Sequence, residues 1–379
     1  MENRTYQICT KTIMDTSDSD IKFDEEGISD YYHNFYKNIL PNWKTDINGS
    51  VEILRIAEEI KKAGKGKSFD CIIGVSGGMD SSYAAYIAKE KLGLRPLLFH
   101  VDAGWNTHHA VENIERLVDK LNLDLHTEVI NWEEMKSLHR SFLKAQVPDQ
   151  DVQDIVFFSA LYQFSKKHKV KHVLTGSNIS TECVREPEAW GAYVGIDKML
   201  INDIHRRFGE RPLKTLPMVD ILSYKIYYKY LLGMQVVKPL DYFPYIKADV
   251  ERELEQRFGW QRFQHKHHES RFTRFLESYW LPQKFGADRR RAHFSSLILT
   301  GQMTREEALA KVAKPELDAV FLEQEFEYVA HKLDFTVEEL RTIFNGENKK
   351  CTDYKNKRNI IRFGTKAMQF LGIEKRVFR

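Results

Sequence analysis

The stretch CIIGVSGGMDSS, residues 71–82, constrains the fold of this chain more than any other. Phe69 to Val75 is a short apolar run with two adjacent isoleucines, charge before it and Gly-Gly after it, which suits a buried parallel strand. Tyr83, Ala84, Tyr86, Ile87 and Leu92 then recur at helical spacing until Gly93 ends the run. The loop between them therefore joins a strand to a helix. Glycines let the backbone approach a ligand closely, and the free N–H groups of a helix start carry partial positive charge, so the junction suits a phosphate. Ser76, Ser81 and Ser82 add hydroxyl donors, and Asp80 adds a carboxylate able to hold Mg²⁺ beside phosphate oxygens. An ordinary strand-to-helix turn has the same composition, so these residues alone leave both readings open. The upstream GKGKS at 64–68 imitates the end of another phosphate loop. It precedes the strand and lacks the required earlier glycine, position 61 being lysine, so it reads as a solvated linker.

The surrounding chain sets the architecture. From Phe69 onward strand and helix signals alternate: RPLLFHVD at 95–102, a helical run around Val111 to Leu121, LDLHTEVI at 123–130, two helical stretches to about 167, and KHVLTGS at 171–177. Such alternation predicts an α/β fold with a parallel sheet covered by helices on both faces. Ligands of such sheets bind beyond the carboxyl ends of the strands. The first loop, DAGWN at 102–106 and TGSNISTE at 175–182 all fall at such ends. An amphipathic helix is expected near Ser50 to Ala63. The last third reads as mostly helical, with T-x-x-E capping boxes at Thr304/Glu307 and Thr336/Glu339, and Pro315 in a first helical turn. Leu317, Val320, Phe321 and Tyr328 recur there at core spacing. The expected division is an N-terminal segment over 1–65, a nucleotide-binding α/β domain over 66–225 and a mainly helical region over 226–379.

Composition excludes several classes. A net charge of +3 with 29% charged residues is too slight a basic excess to suggest a large nucleic-acid surface. Cys9, Cys71, Cys183 and Cys351 are scattered, unlike a disulfide framework or zinc site. No apolar stretch approaches the ~18 residues of a membrane span, and the start has no signal-peptide profile, so a cytoplasmic protein is expected.

VSGGMDSS resembles the SGGxDS signature of the PP-loop ATP pyrophosphatases, which cleave ATP between its α and β phosphates. The resemblance implies a Rossmann-like PP-loop fold of the adenine nucleotide α-hydrolase type. Ser76, Gly77, Gly78, Ser81 and Ser82 would cradle the leaving pyrophosphate, and Asp80 would serve Mg²⁺. Further along, HVDAGWN, NIERLV, VPDQDVQD, LTGSNISTE, HHESRFTRF and LPQKFGADRRRAHFSSLILTGQMTREEAL together resemble the bacterial N-acetyl sugar amidotransferases of surface-polysaccharide biosynthesis. By that resemblance ATP activates the carbonyl oxygen of an acetamido group on a nucleotide-activated sugar. Ammonia then displaces AMP to give an acetamidino group. The cofactors implied are ATP and Mg²⁺.

Residue assignments follow from the resemblance and from position. Lys266, Arg271, Arg274, Lys284, Arg289, Arg290, Arg291 and His293 offer positive charge for phosphates, with Arg271 and Arg274 on the substrate and Lys284, Arg290, Arg291 and His293 beside the reaction. A solvated basic helix face explains any one of them equally well. Asp102 and Gly176 are placed near the nucleotide. Trp105, Asn106, Asn178, Thr181 and Glu182 are placed near the substrate, although packing explains Trp105 equally. Asp149, Asp151 and Asp154 could hold a second Mg²⁺ or sugar hydroxyls, with helix capping the plainer explanation. HKHHE at 265–269 is unlike a zinc helix and reads as a basic, partly exposed segment.

Two departures matter. Relatives of this kind begin with a zinc knuckle of two C-x-x-C pairs, and this chain keeps FDEEG at 23–27 but has Cys9 and Thr12, then Ser29 and Tyr32. One thiolate cannot build a tetrahedral site, so no zinc is expected and packing is expected to hold this end. Nor does any cysteine sit in the context of a glutaminase nucleophile. The resemblance supplies a separate glutaminase, similar to that of histidine biosynthesis and working with a cyclase-like subunit, as ammonia source. Two other readings stay open: a PP-loop tRNA-modifying enzyme, and an inactive scaffold that keeps the fold.

Overall fold

The computed structural model describes residues 5–148, 152–192 and 196–370. Its centre is a sheet of five parallel strands: β1 (Cys71–Gly74), β2 (Pro96–Asp102), β3 (Leu125–Val129), β4 (His172–Leu174) and β5 (Gln235–Val237). The order β3-β2-β1-β4-β5 means that the chain builds outward from β1 in one direction, then returns to β1's other side. Strand geometry sends alternate side chains to opposite faces. Accordingly Ile73 and Leu98 join one core with Ile60, Ile114, Leu117 and Leu254, while Ile72 and Phe99 join the other with Leu138, Phe142, Val156 and Ile204. Each such buried side chain contributes roughly 1.5–3 kcal/mol.

The flanking helices begin where the sequence supplies caps. Asp46 accepts the Gly49 N–H at the start of Ile47–Ala63, and Thr107 and Asn131 do the same for His108–Leu121 and Trp132–Lys144. Both expected T-x-x-E capping boxes are present. Pro315 is not in a helix: it lies in the loop before Asp318, which caps Ala319–Lys332. Val320 is 70% exposed, because the first turn of that helix stands clear of its neighbours, whereas Leu317 is buried. Strand β5 comes from the stretch expected to be helical; three residues with two exposed carry no readable periodicity.

A third core ties the C-terminal helices to the N-terminal segment. Phe272, Phe275, Trp280 and Phe326 pack with Met14, Ile21 and Phe35, and Trp105 joins them. Trp105 is thus fully buried, with its indole N–H donated to His139 Nε2 at 3.1 Å, and packing is its role. Several basic residues expected at the site hold this scaffold instead. Arg271 and Arg274 both pair with the buried Glu325 carboxylate, Arg274 at 2.7 Å, and Arg271 also lies over the Tyr328 ring. Arg291 donates to the Ile13 carbonyl at 2.9 Å and pairs with Asp15 at 3.2 Å. Lys284 donates to the carbonyls of Phe344 and Gly346 at 2.6 and 2.8 Å, where the helix Val337–Phe344 ends. Among the described residues no helix is long and apolar enough to cross a membrane.

Because Glu325 neutralises two arginines at once, Glu325→Ala should cost about 3–5 kcal/mol in urea unfolding, the penalty of stranding a buried charge. Val320→Ala, on the exposed face of the same helix, should stay within about 0.5 kcal/mol of the parent.

Candidate active site

In an open parallel sheet the crevice for a ligand opens where the strand order reverses, here between the carboxyl ends of β1 and β4. The loop after β1 is shaped for close approach. Gly77 has φ +81°, and a Cβ there would lie 2.3 Å from the Ala110 carbonyl oxygen. The Gly77 carbonyl is drawn away by Asn113 Nδ2 at 3.2 Å and the Trp260 indole N–H at 3.0 Å. Gly78 then caps the helix Met79–Tyr86. Within the turn, the Ser76 N–H donates to Ser81 Oγ at 3.2 Å, and Ser81 Oγ–H donates to the Gly78 carbonyl at 3.2 Å. Ser76, Gly78, Asp80 and Ser81 line the cleft, while Ser82 is wholly buried in the helix behind them.

The loop after β4 closes on this turn. A Cβ at Gly176 would stand 2.6 Å from the Asp80 carbonyl carbon and 2.7 Å from the Ser81 nitrogen, so only glycine lets the two loops touch. Asn178 accepts the Thr181 N–H at 2.8 Å as a helix cap and donates from Nδ2 to Asp80 Oδ1 at 3.3 Å. Glu182 faces Asp80 across the cleft floor, and Lys266 lies between them, 2.7 Å from Glu182 Oε1 and 3.9 Å from Asp80 Oδ2. The Tyr245 hydroxyl also donates to Asp80.

Charge on this floor is unevenly shared. Burial would raise Glu182, but the Lys266 ammonium, with Arg185 and His267, holds it down to about 2. Burial raises Asp80 above the usual carboxylate range despite Lys266, and the neighbouring Glu182 pushes the same way. His293 lines the next part of the cleft and is kept neutral, first by burial and then by Lys266, Lys247, His267 and Lys311 around it. Asp80 and Glu182 present hard carboxylate oxygens beside a phosphate cradle, a donor set that fits Mg²⁺, which takes one or two carboxylates plus phosphate.

The structure thus brings Ser76, Gly78, Asp80, Ser81, Asn106, Gly176, Thr181, Glu182 and His293 to one cleft, with Gly77, Ser82 and Asn178 directly behind its wall. Asp102 is turned away, accepting the Gly104 N–H at 2.8 Å and an Asn106 side-chain N–H at 3.3 Å. Arg290 reaches the rim, but its guanidinium pairs with Asp288 at 2.7 Å and caps the Lys314 carbonyl at 2.8 Å. Asp154 is on the rim and exposed; Asp149 and Asp151 lie outside the described residues. HKHHE is not a surface segment: Lys266, His267 and Glu269 line the cleft and His268 is buried. Tyr245, Lys247 and Glu269 were not singled out from the sequence. Each sits in irregular chain or at a helix start far from the loop it serves, with only its charge or hydroxyl as a signal.

A glycine-serine loop at the switch point of a parallel sheet, with Asp80 on the following helix start, defines a PP-loop nucleotide-binding protein of the ATP pyrophosphatase type. Comparison with known families agrees: residues 50–186 match NAD synthase, and residues 269–368 match the C-terminal domain of the WbpG-like lipopolysaccharide biosynthesis proteins. The chain is thus similar to these two families over two separate stretches, the PP-loop region and the C-terminal helical region. A curated relative, an uncharacterised protein of Methanocaldococcus jannaschii, is 27% identical over 128 residues, 34% of this chain and 44% of its own length, so this chain spans less than half of it. Solved structures give looser likenesses. NMN synthetase of Francisella tularensis is 16% identical with a TM-score of 0.29, over 58% of this chain and 90% of that one. NH3-dependent NAD synthetase of Campylobacter jejuni is 17% identical with a TM-score of 0.31, over 70% and 96%. The tRNA thiolase NcsA of Methanococcus maripaludis is 14% identical with a TM-score of 0.33, over 66% and 79%.

Asp80→Asn should keep the hydrogen bonds from Tyr245 and Asn178 while removing a reluctant charge. Since the folded-state pKa of Asp80 is raised, the parent loses stability as pH rises through that value and nothing is lost in acid. Thermal melts of the unliganded variant should therefore show a gain on the order of 1 kcal/mol at neutral pH that vanishes in acid, alongside lost ATP turnover.

Proposed function

We propose that this protein is an ATP-dependent amidotransferase that converts an acetamido group of a nucleotide-activated sugar into an acetamidino group, releasing AMP and pyrophosphate. The observation that carries this reading is that the PP-loop and the WbpG-like region line one cleft, Ser76 and Asp80 together with Thr273, Glu277 and His293. The cleft encloses about 2330 Å³. Ordinary single-ligand pockets occupy roughly 300–1,000 Å³, so ATP leaves room for a second large substrate.

The residues divide the chemistry between them. The amide oxygen of the sugar attacks the α-phosphorus, forming an O–P bond as the bond to the β-phosphate oxygen breaks. Ser76, Gly78, Ser81 and the helix start beyond them receive the departing pyrophosphate. Asp80 and Glu182 would hold Mg²⁺, which neutralises phosphate charge when bound. Ammonia then adds to the activated carbon, and AMP leaves with the former amide oxygen. His293 is in the neutral form that can accept the proton ammonia sheds. The cations that keep it neutral also make it a weak base, so the transfer follows C–N bond formation, when the nitrogen has become strongly acidic. A separate glutaminase with a cyclase-like subunit would supply the ammonia, and substrates of this kind place the reaction in the cytoplasm.

The test is incubation with Mg-ATP, ammonium and a panel of nucleotide-linked acetamido sugars, following AMP, pyrophosphate and sugar mass together. AMP and pyrophosphate in equal amounts, with the mass change of an oxygen replaced by an imino group, are expected; His293→Ala should lower kcat roughly 10²-fold with adenylation retained. No AMP with any sugar, together with salt-dependent retention on tRNA, would overturn the reading in favour of RNA modification.

A further inference from the structure

One short loop sets two opposite charges against the PP-loop side of the cleft. Lys266 puts its ammonium against Glu182 and Asp80, the carboxylates suited to a divalent cation. Three residues on, Glu269 puts its carboxylate on the PP-loop: the Ser76 hydroxyl donates to Glu269 Oε1 at 3.3 Å, and a Cβ at Gly78 would lie 2.8 Å from the same oxygen. Between them His267 has φ +62°, a left-handed conformation uncommon for a non-glycine residue, and it bends the loop between its two charges. The far end is strapped to the β2 rim. The Thr107 N–H donates to the Glu269 carbonyl at 2.9 Å, the Arg271 N–H donates to the Trp105 carbonyl at 2.9 Å, and Asn106 bridges to Ser270.

We infer that residues 265–269 are an internal stand-in for Mg²⁺–pyrophosphate, with Lys266 in the cation's place and Glu269 in the anion's, and that this loop must withdraw when the nucleotide arrives. The inference rests on the ATP reading above and concerns the regulation of that site. A hydroxyl has one proton: while Ser76 donates it to Glu269 it is not available to a phosphate oxygen. A carboxylate resting on the loop also repels an incoming polyanion, as an ammonium between Asp80 and Glu182 repels an incoming cation. Pyrophosphate alone would evict Glu269 and then confront two carboxylates. Mg²⁺ alone would have to displace Lys266 from the pair it satisfies. Arriving together they replace both internal charges at once, so the two ligands bind cooperatively through the loop. Withdrawal also breaks the strap to the β2 rim and opens the side of the cleft that the WbpG-like region lines, so that ATP binding precedes full access for the second substrate.

Calorimetry on the full chain with inorganic pyrophosphate in EDTA, with Mg²⁺ alone, and with both tests this directly. In the parent, each ligand should raise the other's affinity by about tenfold or more. Glu269→Gln should tighten metal-free pyrophosphate by about tenfold, discounted for partial solvent exposure, and shrink the benefit of Mg²⁺ by the same factor. Lys266→Met should do the converse for Mg²⁺ alone. Hydrogen exchange on the unmodified protein supplies a measurement independent of either variant: Mg²⁺–pyrophosphate should speed exchange at the Thr107 and Arg271 amides. Metal-free pyrophosphate binding that is unchanged or weaker in Glu269→Gln, or strap amides that stay equally protected, would overturn the inference while leaving the ATP reading intact. Pyrophosphate that binds in neither form would count against the ATP reading itself.

Discussion

The half-buried group of Asp80, Glu182 and Lys266 is the constraint around which the rest is arranged. Two carboxylates face each other beside a loop built to attract anions, and partial burial raises Asp80 while Lys266 holds Glu182 down. Burial disfavours the charge on Lys266 as well, yet Glu182 and Asp80 raise its pKa above the ordinary lysine value. A half-buried pair of this kind contributes little net stability, because desolvation consumes most of the Coulomb gain. What it does is fix geometry: Lys266 binds a loop from beyond β5 to the loop after β4, and Tyr245 and Asn178 orient the remaining carboxylate.

Topology decides which rim residues join that group. β1 and β4 are neighbours whose connections leave in opposite directions, so their loops flank an opening. β2 sits on the far side of β1, and its DAGWN loop turns back on itself through Asp102 while Trp105 dives into the third core. Only Asn106, held by the bridge to Ser270, returns to the cleft. Equal position at a strand's carboxyl end therefore does not give equal access to the ligand.

This explains what could be read from the sequence. The PP-loop, four of the five strands and both capping boxes depend on contacts within a few residues, and local chemistry sufficed for them. The basic residues of the C-terminal region did not, because a sequence displays a cation without its partner. Arg274 meets Glu325, Arg291 meets Asp15 and Lys284 meets the Phe344 carbonyl, each across a separation that periodicity cannot see. Lys266 was visible as a cation and HKHHE as a segment, but the partners of Lys266 and Glu269 were hidden for the same reason: Glu182 and Ser76 lie on other strands' loops.

The N-terminal turn carries the same logic one step further. Cys9 Sγ accepts backbone N–H bonds from Lys11, Thr12 and Ser29 at 3.4, 3.3 and 3.2 Å. Burial would raise this thiol's pKa, but the donors around the sulfur, with Ser29 foremost, outweigh it and lower the value. One sulfur thus gathers the ends of this turn. Arg305 closes it from outside, donating to the carbonyls of Cys9 at 2.9 Å and Thr12 at 3.0 Å, and Ser295 receives the Ile13 N–H at 3.2 Å. Arg291 and Ser295 both belong to the helix Arg290–Leu299, which also carries His293 into the cleft. The turn and the cleft therefore share one rigid element. Residues that look like spare phosphate ligands in the sequence are what hold His293's helix in register with the PP-loop.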